Sequence, residues 1–383
     1  MERLFYENSH LRTFSAKVTG CSETEKGFLV TLDATAFYPE GGGQACDIGM
    51  LGDARVLDVQ EKGGEILHLC DRPLSVGTTV NGEIDWARRF DLMQQHTGEH
   101  ILSGIIHKRY GHGNSGFHVG AEVLTVDFDG PIPPEDLPEL EWAVNQAIWE
   151  NLPVLCYIPS PEELPSVPYR TKRPLPWPVR IVEVKNYDLC ACCGVHVKYT
   201  GEIGLVKLLS CVKFHQGVRI EMVCGGRALK LIQDVYDQNR QVSAVFSAKL
   251  LETGAAARHM NDVLSEEKYR TGCARKKYFS LLAEQFRNAG LAVCFEDGLA
   301  PGEVRELAAA IGAVCGGVAA VFSGSDGQGY SLCLAGEAGA VKNMGAALSS
   351  ALGARGGGKP GFYQGSIPAN RAEIAAFYKD YRE

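Results

Sequence analysis

Apolar and polar positions alternate with a period near two in the first part of the chain. Residues 28–32 (FLVTL) and 54–59 (ARVLDV) are short apolar or alternating runs, punctuated by turn-forming stretches such as Glu61-Lys62-Gly63-Gly64 and Val80-Asn81-Gly82. Several short strands broken by such turns predict a small β-barrel over residues 1–87. The period then becomes helical from about Trp86 to Tyr110, where Phe90, Met93, Thr97, His100, Ile101 and Ile105 fall near one face. A strand-like run follows at 122–128. Pro134-Glu135-Asp136-Leu137 opens another helix, with proline and acids where a helix start favours them. A proline-rich stretch at 159–178 is a long loop or lid, and 179–184, 204–209 and 218–223 have the composition of strands. Residues 88–225 therefore form a central α+β domain. From 226 to 288 the pattern is long, polar and helical, a connecting arm with Gly254 and Gly272 as candidate interruptions. Residues 289–383 alternate apolar strands (318–322, 330–334) with Ala-rich helix (343–352), a compact C-terminal α/β domain. The fold class as a whole is α+β.

Composition narrows the setting. A chain of 383 residues calls for two or three domains, and 45% hydrophobic residues is ordinary for a globular protein. No apolar run reaches 18 residues, and Met1–Tyr6 lacks the apolar core of a signal peptide, so no membrane association is expected. A net charge of −8 argues against a protein that coats nucleic acid without selectivity, while leaving room for a local basic groove. The thirteen cysteines lie in apolar stretches such as those at 156, 294, 315 and 333, without the spacing of a secreted framework. Buried thiols in a reducing cytoplasm are the expectation.

Two distant motifs carry the candidate chemistry. His96-Thr97-Gly98-Glu99-His100 and Cys192-Cys193-Gly194-Val195-His196 each separate two zinc-type ligands by four residues. On a helix such residues share a face, with Cβ atoms about 6 Å apart. His96, His100, Cys192 and His196 would complete a tetrahedron around one zinc ion. Taken singly, each motif is more often a pair of ordinary packed residues; the two in one chain point to a metal. Cys190, Cys192 and Cys193 compete for the thiolate role, and spacing to His196 favours Cys192. The HExxH protease signature is absent, because Glu99 directly precedes the second histidine.

Further motifs are the glycine run Phe37-Tyr38-Pro39-Glu40-Gly41-Gly42-Gly43-Gln44, followed by Asp47 and Gly49, and Gly356-Gly357-Gly358-Lys359-Pro360 near the C-terminus. The first suits either a pocket wall or a barrel corner. The second suits either phosphate contact or a flexible loop. Basic pairs at Arg88-Arg89, Lys108-Arg109, Arg170 with Lys172-Arg173, and Arg275-Lys276-Lys277 could track a nucleic-acid backbone or simply face solvent.

In their order and spacing these motifs resemble those of the alanyl-tRNA editing proteins, the free-standing relatives of the alanyl-tRNA synthetase editing domain. The resemblance covers the glycine run, HxxxH, CCGVH, the GVRIE run at 217–221 and GGGKP, hence nearly the whole chain, and suggests the long form. It implies hydrolysis of mischarged tRNA(Ala), chiefly Ser-tRNA(Ala), with Gly-tRNA(Ala) as a second candidate. A pocket for alanine cannot strongly reject glycine or serine, which is why such an enzyme is needed. The family's zinc ligands carry over to His96, His100, Cys192 and His196, and Thr35 and Gln44 match pocket positions. On this reading Thr35 hydrogen-bonds the seryl hydroxyl. An alanyl group would leave that bond unmet at about 1–3 kcal/mol, or roughly 5- to 150-fold. The zinc would either activate water or fix the substrate's amino group or the tRNA end; four protein ligands argue against the former. The tail, which resembles the synthetase's C-terminal domain, implies a homodimer. Val195 stands where the family often has threonine, and Gly361 where it usually has an acid. The rival readings are a non-catalytic tRNA-binding protein with structural zinc, a phosphoesterase, and a small-molecule zinc hydrolase.

Overall fold

The computed structural model describes residues 1–171 and 175–381; Lys172 and Arg173 of the third basic cluster lie outside them. The chain divides into two compact units, Met1–Gln241 and Val242–Glu383.

The first unit begins with a closed six-stranded barrel. Its strands, in order around the barrel, are Thr13–Thr24, Gly27–Leu32, Glu65–Cys70, Ala54–Lys62, Gly49–Leu51 and Thr79–Ile84. Closure depends on the long first strand. Its first half pairs with Thr79–Ile84, and after an irregularity between Val18 and Gly20 its second half pairs with Gly27–Leu32. Alternate residues such as Val18, Val30, Val56 and Ile66 point inward and are fully or almost fully buried. The glycine run contributes no strand to the barrel. It forms a loop closed by hydrogen bonds between Gly41 and Gln44.

The helix Trp86–Tyr110 follows, with the bounds its periodicity predicts. Asp85 caps its start by accepting from the Arg88 amide, and Gly111 ends it in the left-handed region with φ 74°. It packs against two sheets. One is antiparallel, in the order Val206–Phe214, Gly217–Cys224, Leu124–Phe128, Asn114–Val119. The other comprises Val154–Tyr157, Ile181–Val184 and Asp188–Ala191. Gly104 lets the helix approach the second sheet, since a Cβ there would lie 2.2 Å from the Tyr187 carbonyl oxygen. One apolar core runs without a break from the barrel (Phe37, Leu51) through the helix (Met93, Ile101) to the sheets (Val126, Val195, Ile220). The helix is also tied to both sides by buried polar groups. Arg89 donates from Nε to Asp47 Oδ1 at 2.8 Å and from Nη2 to the Ala36 carbonyl at 2.6 Å, both on the barrel side. The Gln95 amide meets the backbone N–H and C=O of Cys224 at 2.8 and 3.0 Å.

The predicted arm is two helices, Gly225–Phe246 and Thr253–Glu284. The break falls at Ser247, whose φ is 50°, rather than at either glycine: Gly254 lies in the first turn of the second helix and Gly272 inside it. The second unit has a five-stranded sheet in the order Leu291–Phe295, Val318–Ser325, Gly329–Ala335, Phe362–Ile367, Arg355–Gly357. Its first pair is parallel and the others antiparallel. Residues 318–322 are apolar throughout because both faces are covered. Val318, Ala320 and Phe322 face one cluster with Val341 and Met344, while Ala319 and Val321 face another with Leu307 and Ile311. GGGKP lies on the exposed edge strand and the turn after it. Among the described residues no helix is long and apolar enough to cross a membrane.

Candidate metal centre and its cavity

The two motifs meet. His96 and His100 project from one face of the helix Trp86–Tyr110, and Cys192 and His196 come from the turn after Asp188–Ala191. One ligand atom from each of the four residues falls within 4.8 Å of all the others. Cys192 Sγ is 3.5 Å from His96 Nε2, and the imidazole centroids of His96 and His100 lie 4.5 and 4.6 Å from that of His196. The turn is held by Arg180, which donates to the carbonyls of Cys192 and Gly194 at 2.9 Å each, and by Tyr6, whose hydroxyl donates to the Cys193 carbonyl at 2.8 Å. Gly194 packs directly on His96, since a Cβ there would stand 2.2 Å from its Cε1. Of the competing thiols, Cys193 is exposed, and Cys190 groups with His100 and Asp188 instead.

Each imidazole has its outer nitrogen engaged. His96 Nδ1 faces Gln44 Oε1 at 2.7 Å, His100 Nδ1 faces Asp188 Oδ2 at 2.9 Å, and His196 Nδ1 faces Thr97 Oγ1 at 3.1 Å. Thr97 donates its own proton to the Met93 carbonyl, so it accepts from His196 and fixes the proton of that ring on Nδ1. His196 Nε2 is then a bare lone pair, buried and without a hydrogen-bond partner. Outer acceptors on the Nδ1 atoms and inward Nε2 atoms are the arrangement that metal-binding histidines require.

The charges agree. Burial opposes ionisation of Cys192, but the His96 and His100 imidazoles outweigh it and hold the thiol well below its ordinary range. Burial lowers His100, yet the charge of Cys192 and the hydrogen bond to Asp188 reverse this and leave it well above. Burial, reinforced by His96, pulls His196 down to about 3. Burial would raise Asp188, but the contacts with His100 and Arg170 keep it low. A thiolate thus faces imidazole groups in a dry site, and a divalent cation would displace the inner imidazole proton. The donor set, the orphaned Nε2 and the outer acceptors all fit zinc.

A cavity of about 900 Å³ opens beside these residues. Gly42 and Gly43 of the glycine run line it, as do His96, His100, Cys192, Glu99, Asn114, Arg170 and Lys185. Gln44 Oε1 is committed to His96, leaving Nε2 buried and unpartnered. Thr35 stands apart. It is fully buried and is not among the lining residues. Its hydroxyl lies 2.9 Å from His68 Nε2 and accepts from the Phe37 amide at 3.1 Å. His68 Nδ1 faces the Val30 carbonyl at 3.1 Å, so its proton is on Nδ1 and Thr35 donates to Nε2. Burial pushes His68 down to about 4 and keeps it neutral. His68, Thr97, Arg180 and Asn114 carry no local sequence signal; their roles come from partners distant in the chain.

Two families match parts of the chain: class II (A) tRNA synthetases at residues 4–88, and the threonyl and alanyl tRNA synthetase second additional domain at 179–221. Among similar proteins, the alanine–tRNA ligase of Ignicoccus hospitalis is 36% identical over 258 residues, 64% of this chain and 28% of the ligase. The alanyl-tRNA editing protein Aarsd1 of Mus musculus is 28% identical over 413 residues, 100% of this chain and 98% of its own. The alanyl-tRNA editing protein AlaX-L of Pyrococcus horikoshii is 33% identical over 245 residues, 61% of each chain. The chain therefore spans less than two thirds of two of these relatives and nearly all of the third.

Proposed function

Because the chain belongs to the alanyl-tRNA editing proteins, we propose that it is an aminoacyl-tRNA deacylase that hydrolyses mischarged tRNA(Ala), chiefly Ser-tRNA(Ala) and secondarily Gly-tRNA(Ala). The observation that carries this reading is the quartet of three buried histidines, His96, His100 and His196, and the half-buried Cys192, turned toward one another beside a cavity large enough for an aminoacylated terminal nucleoside. When bound there, a zinc ion supplies a Lewis acid beside the ester carbonyl. Gln44 holds His96 with its oxygen and so positions that imidazole; its Nε2 is unspent but buried behind the cavity lining. The resemblance assigns the seryl hydroxyl to Thr35; its own proton goes to His68 and it stands behind the cavity lining, so in that role it would act only as an acceptor. Lys185 on the cavity wall suits the phosphates of the tRNA end. Residues 1–87 and 88–225 serve hydrolysis, and 226–288 and 289–383 serve self-association, which light scattering tests.

Deacylation of Ser-tRNA(Ala) against Ala-tRNA(Ala), with and without a chelator, tests the reading. Serine release should exceed alanine release and fall on chelation; equal rates would sink it. Four protein ligands also match a structural zinc in a non-catalytic tRNA-binding protein. That alternative predicts tRNA binding with no ester cleavage in the same assay.

A further inference from the structure

A seryl or glycyl ester carries a free α-ammonium group, and the deacylase reading leaves open what receives it. Glu99 directly precedes the second histidine of the first motif, lines the cavity and is only 4% exposed. Its Oε1 accepts from the hydroxyl of Ser103 and from Asn114 Nδ2, the latter at 2.5 Å. Both donors are neutral. Among the described residues no hydrogen bond reaches its Oε2 and no ion pair reaches the carboxylate. Arg170, whose guanidinium feels the charge of Glu99, gives its Nε to Asp188 at 2.7 Å.

Asn114 supplies the second observation. A carboxylate only accepts, so the contact with Glu99 fixes the amide with Nδ2 toward Glu99 and Oδ1 away. That Oδ1 is buried and has no partner. A buried unsatisfied acceptor costs about 1–3 kcal/mol and calls for an explanation. Two spare acceptors, one of them anionic, thus stand on the wall of the cavity that the metal ligands share. A phosphate or carboxylate would be repelled here. A hydroxyl brings one donor and no charge. A hard metal ion needs six or so oxygens, and one carboxylate with one amide does not provide them. A primary ammonium brings positive charge and three N–H donors.

We infer that Glu99 and Asn114 form the receptor for the α-ammonium of the aminoacyl group, so that the protein rather than the metal holds the substrate's amine. The inference rests on the deacylase reading, but its test is separable. Binding of 3′-serylamino-3′-deoxyadenosine, an amide that is not deacylated, is measured by calorimetry on the zinc-loaded protein beside its N-acetyl derivative. The free amine should bind about 10- to 100-fold more tightly, the range of a charge-assisted hydrogen bond. Glu99→Gln keeps an oxygen for Ser103 and Asn114 but removes the spare acceptor and the charge, so the ratio should collapse to about one. Asn114→Ala, at a partly exposed position, should reduce the ratio several-fold and serves if the first variant does not fold. Equal binding of both compounds to the native protein overturns the inference by showing that nothing reads the amine, and an unchanged ratio in the variants overturns it by returning the amine to the metal. Retained amine preference without cleavage of Ser-tRNA(Ala) would overturn the deacylase reading and leave the receptor standing.

Discussion

Thr97 Oγ1 lies 3.1 Å from His196 Nδ1 and faces it as an acceptor, because its own proton goes to the Met93 carbonyl. This contact selects the tautomer in which Nε2 is free. Thr97→Val keeps the volume and removes the acceptor. Zinc affinity in competition with a chelating dye should fall about 10- to 100-fold, the usual cost of losing an outer partner. An unchanged affinity would show that the ring orients itself.

The choice among the three clustered thiols can be read from metal content. Cys192→Ala should abolish zinc by elemental analysis and deacylation with it. Cys193→Ala, at an exposed side chain, and Cys190→Ala should both retain the ion. Loss of zinc in the Cys193 variant would shift the ligand assignment by one residue.

Gly194→Ala tests the close packing of the turn on His96. The added carbon would sit 2.2 Å from Cε1, so the ring or the turn must move. Overpacking of this kind costs about 1–3 kcal/mol. A lower melting temperature and less than one bound zinc are expected, and a fully loaded, equally stable variant would contradict the geometry.

Thr35→Val should leave zinc bound and lower the preference for seryl over alanyl ester several-fold at most, because the Thr35 hydroxyl has His68 and the Phe37 amide as partners whichever ester is bound. Because Thr35 is fully buried and outside the cavity lining, this variant bears directly on its proposed role. Retained serine preference would move that role elsewhere.

His68 gives a pH dependence of stability. Burial lowers its folded pKa from 6.5 to about 4. Between those values the unfolded chain binds a proton that the folded protein refuses, so stability drops as pH falls through this window. The full effect is about 3 kcal/mol. Urea midpoints measured from pH 7 to pH 4 should decline, and His68→Gln should flatten the decline. Equal slopes would show that His68 is not the group responsible.

Much of this architecture is legible in local pattern. The helix Trp86–Tyr110 announces itself by period, and the four candidate ligands by their paired spacing. Residues 318–322 read as strand because both faces are apolar, which alternation alone does not reveal. The illegible parts depend on contacts across long stretches of chain. Nothing near Thr35 in sequence announces His68, and nothing near His196 announces that Thr97 would turn its lone pair toward it. The break in the long arm falls at Ser247, where a non-glycine residue takes a left-handed conformation, while Gly272 sits undisturbed in a helix. Local composition favours the glycine as breaker, and the folded context overrides it.

Arg89 binds Asp47 and the Ala36 carbonyl from the same helix that carries His96 and His100, seven and eleven positions further on. The barrel and the helix face that carries the candidate ligands therefore share one helix with a buried guanidinium at its root. Swapping in a barrel from a relative lacking the matching acid would strand that cation and disturb the imidazoles two and three turns away. Heating should accordingly release a bound zinc ion and melt the barrel in one transition, and a chimaera of this protein would have to inherit helix and barrel together.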